Sequence, residues 1–269
     1  MSSAVIQKLK ELGYTTIPEE FYGQVDLWES WYVGKVKGFH QYRRYNGHKW
    51  TKHNRATLSM GKKVCEDWAN LLMNEKVKIT LEGKKEQDFI DHVLAENNFT
   101  VKANEMQEMK SALGTVAYIP RVTGQGVTDS GEIIPGDASS IAIDYATMHD
   151  IYPLAWQNGF IYDCAFTSRV TRDGKDYVYF QIHRRANDGT YVIENRIYRY
   201  QNEQLSDEDL KNVSGFERIP PVVYTGSNKR QFVIDKPNIA NNFNYLLPVG
   251  ISVFANSIDV LRGVDTAYD

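Results

Sequence analysis

The sequence predicts an α+β chain: a helical N-terminal half packed on an antiparallel β-meander, ending in a further helix. Three observations carry this expectation. Apolar residues recur at helical spacing as far as Leu113, and the period changes to two from Thr115. The tight-turn dipeptides Asn158-Gly159, Asp173-Gly174 and Asp188-Gly189 then follow one another at intervals of 15 residues. The expected division is 1–113 mainly helical, 114–235 antiparallel β, and 236–269 a connector and the start of a last helix.

Taken in order, Thr16-Ile17-Pro18-Glu19 resembles a capping box, in which hydroxyl and carboxylate satisfy the backbone donors of a helix start. Phe21, Val25, Trp28 and Tyr32 then give the helix an aromatic face, and Gly34 is a plausible stop. A second helix is expected over Arg55–Leu72, with Leu58, Cys65 and Leu72 every seven residues and Gly61 and Trp68 in the neighbouring row. This predicts a central core helix in which Trp68→Ala costs about 3–5 kcal/mol. Trp28, Trp31, Tyr32 and Trp68 are accordingly read as core rather than as a ligand pocket.

A strand-like segment, Val77–Leu81, precedes two amphipathic helices, one carrying Phe89, Ile90, Val93 and Leu94, the other Met106, Met109 and Leu113. Gly114 ends the helical half. Val116–Ile119 and Ile141–Tyr145 read as strands flanking a Gly- and Asp-rich loop, and four long meander strands follow. Ser206-Asp207-Glu208-Asp209 and Pro220-Pro221 mark an exit from the sheet through irregular chain. From Gly250 to Asp269 the helical pattern returns through Phe254, Ile258, Leu261 and Val264 without a stop signal, as if the chain were cut from something longer.

Composition excludes several classes. With 31 Lys+Arg against 34 Asp+Glu, no global charge draws the chain to nucleic acid or an anionic membrane. Cys65 and Cys164 give neither a disulfide framework nor a zinc site, so reduced folding is expected. The N-terminus has no secretory pattern, and Tyr245–Leu261 is too short and too polar to span a membrane. No phosphate loop, HExxH, GxSxG or EF-hand appears; Thr123-Gly124-Gln125-Gly126-Val127-Thr128 lacks the lysine a nucleotide needs and reads as a hairpin loop. No cofactor, catalytic residue or metal site is expected. His40, His48 and His53 cluster, but spacings of eight and five do not make a ligand set.

The segment from 35 to 55 stands apart. Lys35, Lys37, Arg43, Arg44, Lys49, Lys52 and Arg55 lie there without an acid, interleaved with Phe39, Tyr42, Tyr45 and Trp50. That is the local signature of phosphate or base contact, yet the chain as a whole is acidic. The reading preferred is a basic loop between two core helices that meets an acidic face of a neighbouring subunit or the domain's own core. A nucleic-acid-binding module using this segment is the alternative, and an enzyme with a site built from scattered carboxylates is a third.

Leu27–Tyr32, Phe39-His40-Gln41-Tyr42, Asn46-Gly47 and the long run Thr57–Glu75 resemble the N-terminal region of portal proteins from siphophages and prophages of Gram-positive bacteria. Ile151–Leu154, Gly159–Ile161 and the tail from Gly250 to Asp269 look similar to the same family. The resemblance implies a non-enzymatic ring subunit, usually one of twelve, at the capsid vertex of the virion, assembled in the host cytoplasm. It implies terminase, capsid or scaffolding protein and head-tail connector as partners, non-specific passage of double-stranded DNA, and no membrane. It places residues 1–235 in the wing and the last helix on the approach to a stem. Family members are commonly nearly twice as long, so stem, clip and crown are expected beyond Asp269.

Overall fold

The computed structural model describes residues 1–73, 77–124, 126–128, 130–134 and 140–269. Asn74, Glu75, Lys76, Gln125 and the parts of the Gly- and Asp-rich loop at 129 and 135–139 lie outside the described residues. In chain order the elements are α1 (Ser2–Glu11), α2 (Glu19–Val33), β1 (Gln41–Tyr45), β2 (Trp50–Asn54), α3 (Met60–Leu72), α4 (Lys84–Glu96) and α5 (Phe99–Leu113). There follow β3 (Val116–Thr123), β4 (Gly126–Val127), β5 (Ile133–Ile134), β6 (Ser140–Thr147), β7 (Ile151–Gln157), β8 (Phe160–Arg172), β9 (Lys175–Arg185), β10 (Tyr191–Gln201) and β11 (Gln204–Glu208). Short strands β12 (Val222–Tyr224) and β13 (Val233–Asp235) precede α6 (Ile258–Tyr268). The α+β class is as the sequence predicts. Among the described residues, no helix is long and apolar enough to cross a membrane.

The chain divides into two compact units, Met1–Glu19 with Ala117–Ile234 and Asn244–Pro248, and Glu20–Val116 with Asp235–Phe243 and Val249–Asp269. The first holds the meander, β7 to β11 in sequential antiparallel order, with β12 also paired to β10. Its turns explain the register. Asn158 and Gly159, and Asp173 and Gly174, all have positive φ, the backbone that a two-residue hairpin of the correct twist requires. Asn202 and Glu203 make the same turn without a glycine, so this hairpin gives no dipeptide signal. The acidic run at 206–209 is therefore no exit: Ser206, Asp207 and Glu208 pair with β10 as strand β11. α1 packs Val5, Ile6 and Leu9 inward, and Lys8 reaches Asp207 at 3.2 Å.

On one part of the sheet Tyr177, Ile197, Leu210, Val213 and Phe216 form a shared core. A cavity of about 320 Å³ lies beside β9 and β10, lined in part by Ile119, Val122, Ile193 and Val223, with Gln181 and His183 on its wall. His183 is buried against the rings of Phe166 and Phe232, and neither ring nitrogen has a hydrogen-bond partner among the described residues. Burial pushes its pKa down to about 3, against roughly 6.5 for an unfolded chain. Below about pH 6.5 the unfolded chain therefore binds a proton that the folded one refuses, so this residue makes stability fall with falling pH down to about 3 and leaves it flat above. At pH 4.5 the loss relative to pH 7 amounts to about 2–3 kcal/mol. Urea titrations of the native chain and of His183→Leu at both pH values check this, and an equal pH dependence in the two proteins rejects it.

The second unit holds α2 to α6. α2 buries Phe21, Tyr22, Val25, Trp28 and Trp31 and stops at Gly34, whose φ is +70°. Its start differs from the capping-box expectation. The helix begins at Glu19, after Pro18, and the Thr16 hydroxyl caps nothing and has no partner among the described residues.

The largest correction concerns α3. It begins at Met60 rather than Arg55, and its buried face is Gly61, Cys65 and Ala69, while Trp68 is 49% exposed, Leu58 44% and Leu72 45%. The helix packs on its small residues: a Cβ on Gly61 would sit 3.1 Å from the Trp31 carbonyl oxygen, so the backbones approach closely there and large side chains are turned outward. α3 is thus not the central core helix expected, and the cost placed on Trp68→Ala belongs elsewhere. Residues 77–81 are also not a strand. No strand pairs with them among the described residues, and the Gln87 side chain takes the Leu81 N–H and donates to the Ile79 carbonyl, closing the segment onto the start of α4. Of α4 itself only Val93 is buried.

Candidate functional site

The segment 35–55 is a β-hairpin, not a loop. β1 and β2 pair in register Gln41↔Asn54, Tyr42↔His53, Arg43↔Lys52, Arg44↔Thr51 and Tyr45↔Trp50. Asn46-Gly47 supplies the turn: the Asn46 carboxamide oxygen accepts from the N–H groups of His48 and Lys49 at 3.1 and 2.9 Å, and Gly47 has φ +96°. That dipeptide is the signal by which sequence reasoning could have found the hairpin.

Among the described residues, little covers the two strands. Tyr42 and Thr51 are half-buried and the other strand residues are exposed, Trp50 at 67% and Tyr45 at 53%. Arg43 and Lys52 face one another directly, and like charges opposed across a strand pair destabilise it. A lone two-stranded hairpin is marginal in water. What fixes this one is its base.

There, His40 is buried with its Nδ1 accepting from the Val36 N–H at 3.0 Å, which leaves Nε2 to donate to Asp265 at 2.8 Å. Asp265 also accepts from the Thr57 hydroxyl at 2.9 Å and the Leu58 N–H at 3.0 Å. Burial opposes its ionisation, but these donors outweigh burial and hold its carboxyl below the usual carboxylate range. Asp269 accepts from the Ala56 N–H at 2.8 Å, and its other oxygen lies 3.4 Å from Arg55. α6 thereby grips the chain on both sides of the hairpin, from residues distant in sequence and invisible to local pattern reading.

The seven sequence-selected cations are divided by this geometry. Lys37, Arg43 and Lys52 share a shallow cleft with Tyr42 and His53; Arg44 is on the other face, Lys49 at the turn, and Lys35 just after α2. Arg55 is a base contact, lying over Phe39 at 4.3 Å as well as against Asp269. None of the other six is ion-paired among the described residues. The three histidines are dispersed: His40 belongs to Asp265, His53 stacks on Tyr42, and His48 stays exposed at the turn.

A packed body that anchors an exposed cationic and aromatic projection has the build of an assembly subunit. Residues 14–154, just over half of the chain, match the family described as phage portal protein, SPP1 Gp6-like. The chain belongs to that family. It is a structural component of the oligomeric portal at the capsid vertex of a bacteriophage, with a role in the DNA channel and in head-tail attachment, and it is not an enzyme. No curated protein matches the chain.

Proposed function

We propose that the chain forms the wing of a portal subunit, with 1–113 and 114–235 as its helical and β parts and 236–269 leading into the stem. In the full assembly such subunits close into a dodecameric ring in the host cytoplasm. The ring takes DNA from a terminase motor, engages capsid or scaffolding protein, and later receives the head-tail connector. DNA passes without being read. The observation that carries this reading is the family match across the helical unit and into the sheet, together with the anchoring of α6 by Asp265.

Lys35, Lys37, Arg43, Arg44, Lys49, Lys52 and Arg55 serve assembly in this proposal. They sit on a hairpin with no recognition helix, so any contact with a passing duplex goes to phosphates and weakens with salt. A ring needs heterologous contacts repeated around an axis, and its closure must offset lost rotational and translational freedom. The 269-residue chain is expected to be mainly monomeric or weakly and heterogeneously associated in mass photometry, and to close into rings when it carries a stem and clip. Arg43→Glu with Arg44→Glu is expected to impair closure or packaging with an unchanged unfolding midpoint, because exposed charge changes cost little stability. A chain with stem and clip that stays monomeric rejects the portal reading, and normal packaging by the double variant rejects the assembly role.

A further inference from the structure

Resting on that reading, we infer that the cationic hairpin docks on the exposed face of α2 in a second copy of this chain. The charge is segregated along the sequence. α2 carries Glu19, Glu20, Asp26 and Glu29 and no Lys or Arg, and the next 21 residues, 35–55, carry seven cations and no acid. Glu19, Glu20 and Asp26 are exposed and flank Gly23 on the side away from the buried Phe21, Val25 and Trp28, while the exposed Glu29 lies beside the buried face. Within one chain the two surfaces lie at opposite ends of a rigid element: the hairpin leaves α2 just past its C-terminus, and Glu20 sits thirteen residues earlier, about 20 Å along the axis at 1.5 Å per residue. Complementary surfaces at the two ends of one body make a head-to-tail contact, the kind that repeats around a ring.

A second, independent observation is Gly23, in the middle of the acidic face. It is exposed, has no positive φ, and a Cβ added to it would meet nothing within 4 Å. The fold of this chain therefore gives no reason for a glycine inside a helix, where it costs conformational entropy. Close approach of another surface does give one. At the hairpin tip Tyr45 and Trp50 are paired with ring centroids 5.6 Å apart and largely exposed, the aromatic anchors that interface centres favour, with Arg43 and Lys52 on the same face and Lys49 at the turn as the charged rim. Set on Gly23, the aromatic pair brings those cations over Glu19, Glu20 and Asp26.

The test is disulfide trapping between two populations of the chain. One carries Arg43→Cys, the other Glu20→Cys; Cys65 and Cys164 are buried, so the introduced thiols are the accessible ones. Mixed at about 100 µM under mild oxidation, where weak association is sampled, the pair is expected to cross-link at least fivefold faster than Arg43→Cys with a control site at Lys175→Cys on the β9 turn. Raising the salt to about 1 M is expected to reduce the rate severalfold. Gly23→Gln is expected to abolish the preference while helicity is retained. Glu19→Lys with Glu20→Lys in one chain is expected to lose binding to the native hairpin and regain it with Arg43→Glu and Lys52→Glu in the other. Cross-linking no faster than the control overturns the proposal, as does failure of the charge swap. Submicromolar binding of the native hairpin to a duplex oligonucleotide, combined with indifference of self-association to Glu19→Lys and Glu20→Lys, assigns the hairpin to DNA instead. Rings that form from the stem-bearing chain without a cross-link between positions 43 and 20 reject this interface and leave the portal reading intact.

Discussion

Trp28→Ala is expected to lower stability by about 3–5 kcal/mol, and Trp68→Ala by about 1 kcal/mol or less. Trp28 is fully buried, with its ring edge-on to Phe21 and Phe243 at centroid distances of 5.8 Å each. Truncation removes a large apolar surface and leaves a cavity that two rigid aromatic neighbours fill only partly. The indole N–H has no hydrogen-bond partner among the described residues, so nothing polar is lost with the ring. Trp28→Phe is therefore expected to recover much of the cost, since it restores aromatic volume without the unpaired donor. Trp68 is half in water on α3 and its removal opens no cavity. Urea titrations of the three variants check the order. Equal midpoints for Trp28→Ala and Trp68→Ala would reject the burial of α2 described above.

The contrast between these two tryptophans shows what was legible in the sequence. Along α3 the rows Leu58/Cys65/Leu72 and Gly61/Cys65/Ala69 share one residue, and hydrophobicity favours the first. Packing selects the second, because a close approach of backbone to the Trp31 carbonyl needs small residues, and no local pattern reports how near another helix will come. The meander was legible for the opposite reason. Its turns after β7, β8 and β10 are set by two adjacent residues with positive φ, and Asn158-Gly159 and Asp173-Gly174 announce two of them, while at Asp188-Gly189 only the glycine has positive φ; Asn202-Glu203 adopts the paired backbone without the glycine and left β11 looking like an exit. The hairpin at 41–54 carried its signal in Asn46-Gly47, but the cations dominate the segment and neither strand has the alternation that a buried face imposes. Its base was beyond reach, since His40 and Asp265 are 225 residues apart.

Gly114→Ala is expected to cost about 2–4 kcal/mol, roughly two to four times the cost of Gly174→Ala. Both glycines have positive φ, +82° and +70°, and each substitution bears about 1 kcal/mol for a left-handed L-residue. At Gly174 an added Cβ meets nothing within 4 Å, so the conformational term stands alone. At Gly114 it would lie 2.5 Å from the Gly250 carbonyl oxygen and 2.7 Å from Ile251 Cα, both backbone atoms that no rotamer change can move aside. Displacing packed backbone adds a further 1–3 kcal/mol. The contact is reciprocal, for a Cβ on Gly250 would meet the Gly114 carbonyl oxygen at 2.3 Å. Around this pair of glycines the Gly250 N–H donates to the Thr115 hydroxyl at 2.9 Å, and the Val253 N–H donates to the Ser111 carbonyl at 2.9 Å. The end of α5 is thus the seat for the chain that leads into α6, and α6 in turn holds His40 and Thr57 at the base of the hairpin. Forcing the seat apart is expected to raise hydrogen exchange in 249–258 and then in 40–58, whereas Gly174→Ala leaves both segments protected. If Gly114→Ala and Gly174→Ala cost the same in urea titration, the backbone contact relaxes freely and cannot be what positions α6.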